Sequence, residues 1–208
     1  MARYKDATCR LCRREGVKLF LKGDRCVSKK CALERKPFEP GIHGPNKRRK
    51  KESEYGKQLR EKQKVKRAYG ILEKSMKRYY VSAGKMQGIV GENMLALLER
   101  RIDNVVYRLG LASSRVQARQ MVNHGLICLN GKKANIPSIQ VNAGDIITIK
   151  EGKEDLDIIK EIKGMNLRTP KWLEIDTNKL AGKVLDLPTR EDIDMNIKEH
   201  LIVELYSR

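Results

Sequence analysis

The chain has no apolar run of the roughly 18 residues that a membrane-spanning helix needs, and it contains only three histidines, two phenylalanines and one tryptophan. The histidines, His43, His124 and His200, are scattered and form no triad or metal-ligand pattern. No glycine-rich nucleotide loop of the Walker or Rossmann type is present. The first residues, MARYKDATCR, contain no apolar core of a signal peptide. We therefore expect a cytosolic protein that is not an enzyme.

Negative charge is also scarce. The sequence has 45 Lys and Arg against 26 Asp and Glu, a net charge of +19. The first 51 residues hold 17 basic and 5 acidic residues, whereas residues 151–208 hold 10 basic and 13 acidic residues. Such asymmetry favours a nucleic-acid partner on the basic side and a different role for the acidic end. A membrane surface would attract the same charge, but the aliphatic residues fall in packing patterns instead.

Four of the five cysteines follow the spacing Cys-x(2)-Cys-x(13)-Cys-x(4)-Cys, at Cys9, Cys12, Cys26 and Cys31. Two close pairs can turn four sulfurs toward one ion, so this spacing predicts one structural Zn²⁺. Basic residues around the cysteines favour the thiolate form. Two alternatives are disulfide bonds and a Cys-x-x-Cys redox pair. A reducing compartment disfavours the disulfides, and the redox pair lacks its usual βαβ context. Cys128 lies in a predicted strand and is interpreted as a packing residue.

Between residues 93 and 149 the pattern changes from helix to strand. Apolar residues at helical spacing predict a helix over 93–109, and Ser113 and Ser114 are suitable caps for a second helix that begins near Arg115. His124 and Gly125 end that helix. Residues 126–129 and 146–149 are predicted strands, with Asn130-Gly131 as a hairpin turn. The expected fold is α+β, with two helices on a small, mostly antiparallel sheet.

Cations cluster around this second predicted helix. Arg115 and Arg119 lie four residues apart, so they share a helix face, which we expect to be exposed and to contact successive phosphates. Lys132 and Lys133 directly follow the predicted turn. An ordinary solvated helix is the alternative interpretation of this arginine pair.

The remaining segments suggest the domain organisation. Residues 55–69 predict a helix with a thin apolar stripe, and the apolar residues of the C-terminal helix need a partner, for which the helical segment before residue 98 is available. We expect a basic zinc-binding segment over 1–50 and a discontinuous helical domain formed by 51–98 with 190–208. The α+β domain would occupy 99–189, with a core motif at about 99–152.

Several long motifs carry a family resemblance. SRVQAR at 114–119 and LNG at 129–131 resemble the small RNA-binding domain named for ribosomal protein S-four. PGIHG at 40–44, YGKQLREKQKVKRAYG at 55–70, ENMLALLERRIDNVVYRLG at 92–110 and HLIVELYSR at 200–208 extend the resemblance over essentially the whole chain. The sequence is similar to the bacterial form of that family which carries the zinc-binding cysteines.

The resemblance implies a structural protein of the small ribosomal subunit that binds 16S rRNA at a multi-helix junction of the 5′ domain and nucleates 30S assembly. It further implies that the protein lies next to small-subunit protein S-five. The protein would help to form the region where mRNA enters the subunit and the interface that governs decoding accuracy. It would also repress translation of its own operon. The candidate RNA-binding residues are Arg3, Tyr4, His43, Lys47, Arg48, Arg49, Lys50, Tyr55, Arg60, Lys62, Lys66, Arg67, Arg115, Gln117, Arg119, His124, Asn130, Lys132 and Lys133.

Two other classes carry the same small domain. An RNA-modifying enzyme such as a pseudouridine synthase needs a large catalytic domain, for which residues 151–208 are too few. A stand-alone RNA chaperone that binds stalled or broken ribosomes would be separated from a ribosomal protein by the particle with which it sediments.

Overall fold

The computed structural model describes residues 4–45, 53–153, 169–176 and 179–207. Its helices are α1 (Cys9–Glu15), α2 (Ala32–Arg35), α3 (Glu54–Ala68), α4 (Glu73–Ala83), α5 (Val90–Glu99), α6 (Ile102–Arg108), α7 (Arg115–Asn123) and α8 (Glu199–Ser207). Its strands are β1 (Ile127–Leu129), β2 (Lys132–Ala134), β3 (Ile146–Ile149), β4 (Leu173–Asp176) and β5 (Ala181–Val184). Short 3-10 turns occur at Gly23–Cys26 and Arg190–Asp192.

The chain divides into two compact units. One contains Met1–Met94 and Met195–Arg208, and the other contains Leu95–Asp194. The sequence-based domain boundaries, near residues 98 and 189, stay a prediction.

In the first unit, α3 packs against α8. Val65 and Ala68 of α3 and Ile202 of α8 are fully buried. Ser53 caps α3, because its side chain accepts a hydrogen bond from the backbone N–H of Gly56 at 3.1 Å. The predicted helix over 55–69 is confirmed, as is the packing of the C-terminal helix on the helical segment before residue 98.

In the second unit, α6 and α7 share a hydrophobic core with a five-stranded sheet. All its ladders are antiparallel, in the order β2-β1-β3-β5-β4. One hydrophobic core joins helices and strands, with Val106, Leu109 and Val122 packed in the same cluster as Ile127 and Ile147. The expected α+β fold is confirmed, and so is the start of α7, where the Ser114 side chain accepts from the Gln117 N–H at 3.3 Å.

The single helix expected over 93–109 is wrong, because α5 ends at Glu99 and α6 begins at Ile102. Arg101 between them is extended, with φ −64° and ψ 134°, and forms an isolated antiparallel bridge with Gln140. The Ile102 N–H donates to the Ile139 carbonyl at 2.9 Å. A distant segment therefore supplies the backbone hydrogen bond that a continuous helix would have supplied, and the apolar spacing alone carries no sign of it.

The sheet is also larger than the sequence predicts, since β4 and β5 were not expected as strands. Gly182 explains how β5 fits against the helices. A Cβ atom at this position would overlap the side chain of Leu109, which is 1% exposed. Because glycine has no side chain, the C-terminal end of α6 and the sheet can approach each other closely.

Candidate nucleic-acid interface

The two arginines of α7 are not on an exposed face. The side chains of Arg115 and Arg119 are each only 10% exposed. The Arg115 Nε donates to the Asn104 Oδ1 at 2.7 Å, and its guanidinium lies 4.6 Å from the centre of the Tyr107 ring. Arg119 Nη1 lies 3.8 Å from the Asp103 Oδ2. The expectation of an exposed arginine pair is wrong, because polar groups at the start of α6 bind these cations.

A buried ionic cluster at the junction of α5 and α6 provides these polar groups. Arg101 donates twice to Asp103, from Nε at 3.0 Å and from Nη2 at 2.7 Å. The fully buried Glu99 carboxylate accepts from Arg108 Nε and Nη2, each at 3.0 Å, and from Asn104 Nδ2 at 2.6 Å. Several donors to each carboxylate compensate for the loss of hydration. The cluster holds α7 on α6.

Glu15, at the end of α1, is another carboxylate that binds two arginines. Its side chain is 2% exposed and accepts hydrogen bonds from Arg60, at 3.2 Å, and from Arg67. Burial raises the pKa of the Glu15 carboxyl above its ordinary value, although both arginines lower it. Two of the α3 cations predicted to contact RNA are thus bound to the cysteine-containing segment.

Glu73, the first residue of α4, binds the other two predicted cations of α3. Its oxygens accept from Lys62 Nζ at 2.7 Å, from Lys66 Nζ at 3.0 Å and from the Tyr206 hydroxyl at 2.8 Å. Burial alone would raise the pKa of Glu73, but these three donors hold it at about 2. Burial and the Glu73 carboxylate both raise the pKa of Tyr206. Tyr206 also stacks on Tyr80, with ring centres 4.9 Å apart.

Other predicted contacts of the second unit lie at the turns. Asn130 has φ +51°. Its side chain accepts from the Ile146 N–H and donates to Asp145, both at 2.8 Å, so it joins two turns of the protein. The Gln117 side chain accepts from the Ser113 N–H at 2.6 Å and hydroxyl at 2.7 Å. The side-chain amides of Asn130 and Gln117 therefore already form hydrogen bonds within the protein.

Lys132 and Lys133 are exposed on β2, and His124 is exposed directly after α7. Within the described ranges, the two lysine side chains have no hydrogen-bond or ion-pair partner. The stem of Lys133 crosses Gly125, where a Cβ atom would overlap it. Lys150, directly after β3, is also exposed.

In the first unit, Tyr4, His43 and Tyr55 are exposed. The remaining predicted RNA contacts lie outside the described residues, namely Arg3, Lys47, Arg48, Arg49 and Lys50.

The four predicted metal ligands line one small cavity of about 20 Å³, namely Cys9, Cys12, Cys26 and Cys31. Lys22 and Arg25 line the same cavity. The Lys22 N–H donates to the Cys26 sulfur at 3.3 Å. Burial raises the pKa of the Cys12 thiol, and the neighbouring cysteines add to that effect. As placed, no three His, Cys, Asp or Glu side chains of the described ranges form a group that could hold a metal ion.

Four carboxylates that organise these cations were not predicted from the sequence: Glu15, Glu73, Glu99 and Asp103. The partner of Glu73, Lys62, is eleven residues away, and Glu15 is 45 residues from Arg60, so no local pattern could reveal these pairs. Glu99 and Asp103, which flank two arginines and lie four residues apart, offered the clearest sequence signal.

None of the helices in the described part of the chain has the length and apolar character required to cross a membrane.

Comparisons with known proteins agree with this architecture. Residues 3–99 match the family model "Ribosomal protein S4/S9 N-terminal domain", and residues 100–147 match the "S4 domain". The small ribosomal subunit protein uS4 of Halothermothrix orenii is 59% identical, that of Caldicellulosiruptor saccharolyticus 60% and that of Nitratidesulfovibrio vulgaris 56%. Each match covers 100% of this chain and 100% of the relative. These relatives are ribosomal proteins and not enzymes. The chain therefore belongs to the family of small ribosomal subunit protein uS4.

Proposed function

We propose that the chain binds 16S rRNA directly, at a multi-helix junction of the 5′ domain, as a structural protein of the cytoplasmic small ribosomal subunit. The match over the full length of relatives named small ribosomal subunit protein uS4 is the observation that carries the proposal. The net charge of +19 supports it. The mechanism is neutralisation of phosphates by cations fixed on a rigid surface that fits a folded RNA.

In the second unit we assign the phosphate contacts to cations that are not already paired. Lys133 on β2 and Lys150 after β3 are separated by β1, two strand spacings or about 10 Å across the sheet. Their flexible stems can therefore reach different phosphates. Arg115 and Arg119 would act indirectly, since their ion pairs set the position of α7.

In the first unit, the exposed residues Tyr4, His43 and Tyr55 and the basic run at residues 46–51 are the proposed contacts. Arg60 and Arg67 on Glu15, and Lys62 and Lys66 on Glu73, add positive potential but are held by their carboxylates. Their first role is to hold α3 in place for the exposed groups.

One structural Zn²⁺ belongs to the proposal, with the four clustered cysteines, Cys9, Cys12, Cys26 and Cys31, as ligands. Their common cavity supports it, and Lys22 and Arg25 beside that cavity offset the charge of thiolates. The four sulfurs would have to draw together on binding. The ion would do no chemistry; it would supply folding energy to a short and highly charged segment.

The wider role follows the family. We propose that the chain nucleates 30S assembly and lies next to small-subunit protein S-five. It would also help to form the region where mRNA enters and the interface that governs decoding accuracy. We also propose that the chain represses the translation of its own operon.

The test is a titration of the full chain with a transcript of the 16S 5′ domain and, as a control, with a transcript of another 16S domain. We expect tighter binding to the 5′ domain. In the variant that combines Lys132→Ala and Lys133→Ala, the slope of log affinity against log salt should fall by about 0.7–0.9 per lost phosphate contact. Lys179→Ala, which removes an exposed lysine of the turn between β4 and β5, is the matched control. Equal affinity for both transcripts would contradict the proposal.

A further inference from the structure

The second unit contains an acidic cleft in a chain that is otherwise strongly basic. Its volume is about 730 Å³, within the range of ligand-binding pockets. We call it the Trp172 cleft; it is lined by Arg108, by residues 169–172 and by residues between 186 and 194. Four carboxylates belong to it, those of Asp186, Glu191, Asp192 and Asp194.

The positive groups of the Trp172 cleft do not balance these carboxylates. Arg108 already donates to Glu99, which lies outside the cleft lining, and to Asp194. Lys171 is the other cation of the lining and is exposed. Glu191 is exposed and has no ion-pair or hydrogen-bond partner in the part of the chain that the structure describes. The cleft therefore repels phosphate and attracts cationic groups.

Trp172 gives a second, independent sign of a ligand. Its side chain lines the cleft and is 3% exposed, yet its indole N–H has no hydrogen-bond acceptor among the described residues. A buried donor without an acceptor is costly. This nitrogen is itself shielded from solvent, so a bound segment would reach it only by displacing part of the lining. A backbone carbonyl would then be a suitable acceptor, because an indole N–H can only donate.

We propose that the Trp172 cleft binds a lysine- and arginine-rich peptide segment of another protein. The carboxylates would bind its side chains, and Trp172 would donate to its backbone. The proposal goes beyond RNA binding, since it assigns a protein partner to a cleft whose described lining holds four carboxylates and two cations. A phosphate backbone is excluded from the same place by its charge.

The sequence offers a direct probe, because Trp172 is the only tryptophan. Titration of the full chain with an oligolysine peptide should produce a saturable change in indole emission. The combination of Asp186→Asn and Glu191→Gln should weaken binding by about three- to tenfold, as expected for two exposed ion pairs. Asp192 is left intact because it caps the turn at Thr189, and Asp194 because it binds Arg108.

Glu151→Gln is the control, since it removes one exposed carboxylate of the same unit outside the cleft. Unchanged emission at saturating peptide would overturn the proposal. So would an equal loss of affinity in Glu151→Gln, because binding would then reflect diffuse charge. If Mg²⁺ alone produced the same emission change and blocked the peptide, the cleft would be a cation site instead.

Discussion

Arg119 of α7 and Asp103 of α6 form a buried pair, with 3.8 Å between Nη1 and Oδ2. Arg119 is 9% exposed and Asp103 is 4% exposed. This pair changes the interpretation of the most conspicuous motif of the sequence. An arginine that appears available for phosphate is instead part of the contact that joins two helices.

We predict that Arg119→Ala destabilises the protein by about 1–3 kcal/mol, the cost of removing one of the two cations beside a buried carboxylate. Asp103 keeps its two bonds from Arg101, so the loss should stay below that of a fully broken buried pair. Urea unfolding measures the change. Gln120→Ala, at an exposed position of the same helix, should alter stability by less than about 0.5 kcal/mol.

The same variant separates structure from RNA contact. While Arg119→Ala is still folded, its salt dependence of RNA binding should equal that of the unaltered protein. A lower salt slope with unaltered stability would mean that Arg119 leaves Asp103 to bind phosphate.

Gly182→Ala should cost about 1–3 kcal/mol, because the new methyl group would overlap Leu109 in a filled core. The combination with Leu109→Ala tests the cause. If the overlap is responsible, the double variant should be destabilised by less than the sum of the destabilisations of the two single variants. Strict additivity in urea unfolding would show that the two positions are independent.

Acid should weaken the contact of α3 and α4 with α8 through Glu73. Its pKa in the folded protein is about 2, below the ordinary value of 4.5. A lowered pKa in the folded state stabilises the protein above pH 4.5, and this contribution is lost as the pH falls toward 2. The effect should be modest, since the Glu73 side chain is 47% exposed.

Free energies of unfolding measured across that pH interval check this prediction. Glu73→Gln should remove part of the pH dependence, whereas Glu92→Gln, at an exposed position of α5, should keep it. Identical pH profiles for both variants would exclude Glu73 as the source.

Zinc content tests the cysteine cluster. Native mass spectrometry should find one Zn²⁺ per chain, lost in Cys26→Ser and kept in Cys128→Ser, since Cys128 lies on β1 and does not line the cavity. Removal of the metal with a chelator should make the first 45 residues sensitive to protease. Full protease resistance of metal-free protein would contradict a structural role for zinc.

Local chemistry explains which parts of the fold could be predicted. Ser114 and Gly125 mark the ends of α7 through a capping side chain and a positive φ of +66°, and both effects belong to single residues. The break at Arg101 depends on Gln140, and the burial of Arg119 depends on Asp103. Those outcomes need contacts between distant residues, for which hydrophobic periodicity has no signal. For the same reason, the sequence identified cations correctly but not which of them are already neutralised.

The turn at Asn130-Gly131 has a consequence for the ageing of the protein. Asparagine before glycine is chemically prone to deamidation, in which the backbone nitrogen of the glycine attacks the side-chain amide. Here both ends of that amide are held, by the Ile146 N–H and by the Asp145 carboxylate, which limits its approach to the Gly131 nitrogen. Once the amide were lost, a carboxylate would face Asp145, and repulsion between the two would separate the turns. The hydrogen bonds that shape this hairpin thus also protect it from slow chemical damage.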